Sequence, residues 1–346
     1  MHDLACVVHL HSLYSDGTGT VPEIARAARA SGADAVLLTD HDTLEARRRG
    51  EEGWHDAVLV LVGEEISPRG RNHYLAFDLE DEVRHWNMSA SQICAAVRER
   101  GGFGFAAHPF SRGSERFRRA AGMPFEELDC EALHGVELWS FLTDTAERLG
   151  SIRAALRFVL APGRTVDHPP ERNLAEWDRL CRRRRTVAIG GLDAHQFGRR
   201  IGPFVLRLMS YRRSFRHLRT HVLTEARLSR DLPRDRELVY GALREGRCYL
   251  AMDSVADARG FSFWGEGRDG VLPMGAAAPA GPLTLRARLP SGARLRLLRD
   301  GHELATVDAA ELAHPVEKPG VYRVEARRRA NGAERTWILS NPVYLR

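Results

Sequence analysis

The feature that most constrains the fold of this chain is a series of short apolar runs that end in histidine or acidic residues. Near-continuous apolar runs separated by amphipathic stretches are typical of buried parallel strands wrapped by helices. We predict strands at Leu4–His9, Ala35–Thr39, Ala57–Val62, Tyr74–Phe77, Phe103–Ala106, Val136–Leu138 and Val187–Ile189. We predict helices at Val21–Ser31, Ser89–Arg100, Arg172–Arg184 and Arg234–Glu245. This order predicts an α/β fold, either a barrel or a doubly wound sheet.

The character of the chain changes after Met274. The stretch GAAAPAGP that follows is typical of a linker. From Leu283 onward, short alternating runs are separated by turn signals, of which Asp300-Gly301 and Asn331-Gly332 are the strongest hairpin signals. We therefore predict an α/β domain over residues 1–274 and a small antiparallel, immunoglobulin-like β-sandwich over residues 275–346. We expect the second domain to pack against the first without supplying chemistry.

Charge and composition indicate what kind of substrate the protein acts on and where in the cell it works. Residues 275–346 contain 12 basic and 7 acidic residues, which accounts for the net charge of +5 and leaves residues 1–274 near neutral. An enzyme of nucleic acids would carry its basic surface around the active site, so we expect a small-molecule substrate. The five cysteines form no CxxC pair, and no apolar stretch approaches the ~20 residues that span a bilayer. The first residues lead directly into a strand without a basic and apolar leader, so we expect a cytoplasmic protein.

The polar residues at the strand ends suit metal binding. His9 and His11 are two apart on one strand, so both imidazoles point to the same face. The other strand ends and the loops beside them supply Asp16, Asp40-His41-Asp42, Glu64-Glu65, His73, His108 and Asp193 with His195. One such motif alone is more often a surface pair, but five in succession at the same edge argue against coincidence. Imidazole and carboxylate ligands suit divalent Zn, Mn or Fe, and their number indicates two or three ions.

The motifs HLHSLYSDG, LLTDHD, GEEIS, AAHP and GLDAH resemble, in that order, the PHP (polymerase and histidinol phosphatase) family of metallohydrolases over residues 4–265. The segments GRCYLAMDS and WILSNPVYLR are similar to its carbaryl-hydrolase-like subgroup. The resemblance implies a distorted seven-stranded β/α barrel with a trinuclear site. It implies a first metal at His9, His11, Glu65 and Asp193, a second at Glu65, His73 and His108, and a third at Asp16, His41 and His195.

Residues beside the ligands are candidates for supporting roles. We expect Glu64 to face away from the site and to be structural, because it alternates with Glu65. Asp40 and Asp42 flank His41, and we expect them to orient it, with Asp42 also a candidate proton donor. Glu137, at the end of a predicted strand, is a candidate for the pocket wall. Arginines suited to a phosphoryl group are Arg112, after His108, and Arg199 or Arg200, after His195.

The absence of a GxSxG motif, and of a cysteine beside any candidate ligand, favours a water nucleophile. Bound metals lower the pKa of water from ~15.7 towards ~7. The leading interpretation is a phosphoesterase that acts on a small phosphorylated metabolite. A carbamate, amide or ester hydrolase with the same metal cluster is the first alternative. A non-catalytic binding module that keeps metal only for its stability is the second.

Overall fold

The computed structural model describes residues 1–116, 121–196, 198–201, 204–207, 209–268, 270–330 and 332–346, without the side chains of residues 164, 198–201 and 204–207. The first strands are β1 (His2–Val8), β2 (Ala35–His41), β3 (Gly53–His55), β4 (Val58–Ile66), β5 (Tyr74–Phe77), β6 (Phe103–Ala106), β7 (Gly135–Ser140) and β8 (Val187–Gly191). The helices are α1 (Val21–Ser31), α2 (Glu45–Arg48), α3 (Ala90–Glu99), α4 (Phe141–Ala146), α5 (Ile152–Leu160), α6 (Pro162–Thr165), α7 (Glu171–Arg183), α8 (Tyr211–Ser214) and α9 (Leu232–Arg244).

The later part of the chain is mostly strand. Its elements are β9 (Gly198–Ile201), β10 (Phe204–Arg207), β11 (Leu218–Thr224), β12 (Cys248–Met252), β13 (Ser262–Gly267), β14 (Gly270–Pro273), β15 (Ala277–Ala278), β16 (Leu283–Arg299), β17 (His302–Val316), β18 (Gly320–Ala330), β19 (Ala333–Ser340) and β20 (Val343–Leu345). No helix in the described ranges is long and apolar enough to cross a bilayer.

The first strands form a curled, mixed sheet. β1, β2 and β4 are parallel neighbours, and so are β6, β7 and β8. A parallel bridge between Leu10 and Ala194 brings the end of β8 back to the end of β1, which makes the arrangement barrel-like. The expectation of a wholly parallel sheet is wrong at β5, which runs antiparallel to both β4 and β6. The reason is the short connection between β4 and β5. A parallel crossover needs a dozen or more residues, and only residues 67–73 join these two strands.

Capping residues in the sequence determine where α1 and α3 begin. In α1, the Thr20 side chain accepts from the backbone of Glu23, and the Glu23 carboxylate accepts in return from the backbone of Thr20. Gly32 ends this helix with a left-handed φ of 80°. Ser89 and Gln92 form the same reciprocal cap at α3. These caps fix where each helix starts and therefore how it covers the sheet.

The C-terminal strands extend the same sheet. The first of the alternating runs after Leu283 belong to one long strand, β16, with an irregular register between Arg288 and Ala293. The Asp300-Gly301 hairpin is confirmed, with φ values of 54° and 86°. β18 pairs with β19 around the second predicted turn, although Asn331 lies outside the described residues. β19 also pairs with β12. The segment predicted as a linker contains β15, which pairs with β20 and is therefore held in place.

Asn341, just after β19, joins the C-terminal strands to the barrel-like sheet. Its side-chain oxygen accepts from the backbone of Ala188 at 2.8 Å, and its amide donates to the carbonyls of Ala188 at 2.9 Å and Cys248 at 2.8 Å. The side chain is buried, so these backbone groups have no access to bulk water. One amide therefore satisfies backbone groups of β8 and β12 together.

Replacing this amide should destabilise the whole chain. We expect Asn341→Ala to lower the free energy of unfolding by about 2–4 kcal/mol, because it leaves buried backbone groups without partners. Urea unfolding followed by circular dichroism measures this change. Ser291→Ala, in the far part of β16, is the control, and an unchanged midpoint for Asn341→Ala would contradict the assigned role.

A buried ion-paired histidine holds β1 against its neighbours. His221, on β11, contacts Asp3 at 2.8 Å and Asp253 at 3.2 Å. Arg219 contacts the same Asp253 carboxylate at 3.0 Å, and the Tyr249 hydroxyl contacts Asp3 at 2.6 Å. Burial alone would lower the pKa of His221, but the hydrogen bonds and charges of Asp253 and Asp3 raise it to about 9. The protonated imidazole therefore stabilises the strand that carries the first site residues.

This shift makes stability depend on pH. Because the folded-state pKa of His221 lies above the unfolded value of about 6.5, its contribution is complete below about pH 6.5 and is lost as the pH rises through about 9. We expect the free energy of unfolding of the wild type to fall by up to about 3 kcal/mol more than that of His221→Gln across this window. Urea titrations at several pH values measure the difference, and parallel pH profiles for the two proteins would refute it.

Candidate metal centre

The predicted ligands come together at one edge of the curled sheet. His9 and His11 follow β1, His41 ends β2, and Glu65 is the penultimate residue of β4. The others follow β6 and β8, precede β5 or lie in the loop after β1, and they are His108, Asp193, His195, His73 and Asp16. Because β5 is antiparallel, its start lies at the same edge as the ends of its parallel neighbours.

Three of these residues have strained backbones. His9, Asp193 and His108 have φ values of 62°, 53° and 31°. A left-handed conformation is uncommon for residues other than glycine and costs of order 1–3 kcal/mol at such sites. Each of the three comes just after a buried strand, where the chain turns its side chain into the cluster. In these three residues, therefore, a strained backbone coincides with a side chain that points into the cluster.

Four side chains converge on one point. The Nε2 atom of His9 lies 3.2 Å from Glu65 Oε2 and 3.5 Å from Asp193 Oδ1. The Nε2 atom of His11 lies 3.3 Å and 3.4 Å from the same two oxygens. Ligand atoms bound tetrahedrally at about 2.1 Å from an ion would be about 3.4 Å apart. These four nitrogen–oxygen distances therefore match the spacing of ligand atoms around a divalent cation.

The remaining side chains extend this cluster on two sides. The other oxygen of Glu65 lies 2.8 Å from His73 Nδ1 and 3.3 Å from His108 Nε2. On the opposite side, Asp16 Oδ1 lies 3.1 Å from His195 Nε2 and 3.7 Å from His41 Nε2. The combinations with metal-binding geometry are His9, His11 and Asp193; His9, Glu65 and His108; His41, Glu65 and His73; and His11, Asp16, His41 and His195.

Some ring nitrogens of the cluster have no hydrogen-bond partner of good geometry. Neither ring nitrogen of the buried His11 makes a hydrogen bond of good geometry, and neither does Nδ1 of His108. Burial lowers the pKa of His11 to about 4, which keeps its imidazole neutral and able to coordinate. Buried polar atoms without partners are costly and therefore rare. Divalent ions would give these atoms their partners.

The two buried carboxylates are held in their charged form. Burial alone would raise the pKa of Glu65, but the charge of His9 and hydrogen bonds from His108 and His73 hold it well below its usual range. Burial likewise would raise the pKa of Asp193, yet the charge of His9 and the nearby His11 ring hold it well below its usual range. Both groups are therefore charged ligands at neutral pH.

Glu137, on β7, forms hydrogen bonds with two residues of the cluster. Its Oε1 atom lies 2.9 Å from His9 Nδ1, and its Oε2 atom accepts from the backbone of His108 at 2.6 Å. A carboxylate on the second ring nitrogen fixes the tautomer of a metal-binding histidine. Gly191 allows this approach, because a Cβ atom there would lie 1.9 Å from Glu137 Oε1. The prediction that Glu137 lines the pocket wall is wrong, because its side chain is fully buried and is not among the residues that line the cavity.

Asp40 does not orient His41, and that expectation is wrong. Asp40 accepts hydrogen bonds from the Ser12 backbone at 2.7 Å, the Ser12 hydroxyl at 2.6 Å and the Ser15 hydroxyl at 2.6 Å. Adjacent strand residues point to opposite faces, so Asp40 holds the loop that carries Asp16 instead. Ser67 contacts the His41 ring instead, with its Oγ 2.6 Å from His41 Nδ1.

The other supporting candidates have mixed outcomes. Asp42 accepts from the backbone of Ser67 and contacts His85, and it is in none of the metal-binding combinations. Glu64 is buried and accepts from the backbone of Val83, in agreement with a structural role. Arg112 is exposed and does not line the cavity described next. The side chains of Arg199 and Arg200 lie outside the described residues.

A cavity of about 820 Å³ opens onto the cluster. Its floor contains Asp16, His41, Glu65, His73, His108, Asp193 and His195. Thr143, at the start of α4, also lines it and donates to Asp193 Oδ2 at 2.6 Å. A small molecule that enters this cavity would therefore reach the ligand atoms directly.

We expect Glu137→Gln to weaken metal binding about 10–100-fold, because the amide removes the charge that orients His9. Titration of the metal-stripped protein against a competing chelator measures the dissociation constant. Glu176→Gln is the control, since Glu176 pairs with Arg179 on the surface of α7. Equal affinities for Glu137→Gln and the wild type would show that Glu137 has no such role.

No family model matches the chain, and no curated protein matches it. A two-domain protein from Bacteroides vulgatus, described as containing a predicted PHP-like metal-dependent phosphoesterase, is 16% identical with a TM-score of 0.47, and the match covers 98% of this chain and 95% of that chain. PsfC from Pseudomonas syringae is 15% identical with a TM-score of 0.43, and the match covers 68% of this chain and 88% of that chain. A Bifidobacterium adolescentis protein described as a metal-dependent phosphoesterase is 20% identical with a TM-score of 0.38, and the match covers 55% of this chain and 87% of that chain.

Proposed function

We propose that this chain is a metal-dependent hydrolase that uses an activated water, and that phosphoric esters of small molecules are its leading substrates. The observation that carries the proposal is the convergence of His9, His11, Glu65 and Asp193, in which each histidine Nε2 lies 3.2–3.5 Å from an oxygen of each carboxylate. This spacing, together with buried ring nitrogens that lack partners, favours divalent cations at the floor of an open cavity.

We further propose a PHP-type centre of two or three ions of Mn, Fe or Zn on a seven-stranded barrel of residues 1–274, followed by the C-terminal sandwich of residues 275–346. The first ion would bind the four convergent side chains named above. Glu65 would share the second ion with His73 and His108, and Asp16, His41 and His195 would hold the third. The overlap of the four geometric combinations at His9, His11, His41 and Glu65 supports neighbouring ions that share ligands.

Divalent ions held there would acidify a water and neutralise the oxygens of the bond that breaks. The protein's own contribution is to keep the ligands in place. Glu137 orients His9 from one side, and the Thr143 hydroxyl donates to the Asp193 oxygen that faces away from His9 and His11. The cavity admits the ester to the same edge of the sheet. A metal that served stability alone would not need an opening of this size, which favours catalysis over a binding module.

Hydrolysis of a carbamate, amide or carboxylic ester is the second candidate. The specific observation in its favour is that the described side chains lining the cavity include neither arginine nor lysine. A phosphoryl group would gain from such cations, whereas an acyl group does not need them. The same water and the same ligands serve attack at either centre, so substrates distinguish the two.

We expect Glu65→Gln and Asp193→Asn to lower turnover at least about 100-fold and to lower the metal content, because each removes the charge of a buried ligand. The assay uses p-nitrophenyl phosphate, bis-p-nitrophenyl phosphate and p-nitrophenyl acetate with Mn, Fe or Zn. Elemental analysis of the wild type should find two or three ions per chain.

Glu64→Gln is the matched control. Burial raises the pKa of Glu64 to about 8, so glutamine changes its charge little at neutral pH. This variant should keep both turnover and metal. Full activity in Glu65→Gln, or full wild-type activity with one ion or fewer per chain, would refute the proposed centre.

A further inference from the structure

The walls of the cavity differ in character from its floor. Above the ligands, the wall residues are almost all apolar, and the largest are Met123, Leu142, Leu149, Phe158, Val159 and Met209. Thr143 brings a hydroxyl to the wall, but that hydroxyl is already bonded to Asp193. A ligand in this cavity would meet charged and imidazole groups at one end and hydrocarbon at the other.

The apolar wall is supported by aromatic packing. Phe158, on α5, packs on Phe141 with ring centroids 6.0 Å apart. Phe141 in turn stacks on His217 at 4.9 Å with an angle of 9° between the rings. Phe141 and Phe158 are buried in the main core. The wall is therefore preformed, as binding cavities for small molecules usually are.

Two arginines in or next to the segments that build the wall are already paired. Arg172 contacts Glu147 and the carbonyl of Phe110, and Arg148 contacts Asp167 and the carbonyl of His168. Within the described part of the chain, therefore, no cation is presented to the upper cavity. A substrate with several charged or hydroxyl groups would lose hydration there without gaining partners.

From this polarity we infer that the substrate carries a bulky apolar group, aryl or branched alkyl, on one side of the bond that is hydrolysed. The inference rests on the proposed function and names the substrate class of the same site. Burial of hydrocarbon is favourable in proportion to the area removed from water. The flexible thioethers of Met123 and Met209 suit flat aromatic groups, which they can contact closely. The apolar group lies against α5 while the ester lies at the metal centre.

A series of substrates with leaving alcohols of similar acidity tests this inference. Methyl, benzyl and 2-naphthylmethyl esters are compared, first as phosphates and then as acetates, with the wild-type holoenzyme. We expect kcat/KM to rise at least tenfold from methyl to benzyl in whichever series is hydrolysed, because the wall buries the ring. Equal or falling kcat/KM along the series would overturn the inference while leaving the metal-dependent hydrolase intact.

Substitutions in α5 test whether the apolar wall causes the preference for the benzyl ester. Val159 lines the cavity, whereas Leu156, three residues earlier, has 57% of its surface exposed and does not. Val159→Asp should reduce the benzyl-to-methyl ratio at least tenfold, and Leu156→Asp should leave it unchanged. Val159→Thr, which keeps the shape of the side chain, should reduce the ratio in the same direction if the aspartate variant does not fold. An unchanged ratio in a folded Val159 variant would contradict the role of the wall.

A binding measurement separates this inference from the proposed function. 2-Naphthalenemethanol is titrated into the metal-stripped protein and followed by its fluorescence. We expect saturable binding that weakens at least tenfold in Val159→Asp, or in Val159→Thr where the former does not fold, but not in Leu156→Asp. If no ester is hydrolysed with any metal, the proposed function fails and this binding alone decides the inference. Absence of saturable binding to the wild type would overturn it.

Discussion

The carboxylate of Glu65 is the group around which the rest of the structure is arranged. One of its oxygens lies 3.2–3.3 Å from nitrogens of His9, His11 and His41, and the other lies 2.8–3.3 Å from His73 and His108. A fully buried carboxylate is costly unless several opposite charges or hydrogen bonds compensate it. Five imidazoles from four parts of the chain meet this need only if the corresponding strand ends lie close together. Electrostatics at one residue thus constrains the relative position of most of the sheet.

That constraint extends outward through the backbone. His9, His108 and Asp193 adopt left-handed φ values so that their side chains turn inward. Such strain persists only where the surroundings over-determine it, and Glu137 is part of those surroundings because it contacts both the His9 ring and the His108 backbone. Gly191 leaves the space for it. The centre therefore depends on β7 and β8 as much as on the strands that carry its histidines.

The sequence predicted the parts of this arrangement that follow from local periodicity. Strand positions and the placement of His9 and His11 on one face follow from apolar runs and alternation. The grouping of these histidines with Glu65 and Asp193 was implied by the family resemblance. The direction of β5, the partners of Asp40 and the contact of Glu137 do not follow from these patterns, because each depends on which strands become neighbours. The apolar walls of the cavity could not be predicted from the sequence either. The segments that build them, residues 111–134 and 143–171, have no clear periodicity, so their apolar residues resemble ordinary core residues.

The C-terminal strands affect the centre without supplying a ligand from their described residues. Asn341 bonds the backbone of Ala188 on β8, the strand that leads into Asp193. Arg323, on β18, is buried and contacts both oxygens of Asp178 at 2.7 and 2.8 Å, which ties α7 to the same strands. Breaking such a buried pair typically costs about 3–5 kcal/mol. Cations bound at Asp193 and the C-terminal strands would both favour the native position of β8, so each would stabilise the conformation that the other requires. Their coupling is therefore thermodynamic, although no residue of the C-terminal strands needs to contact an ion.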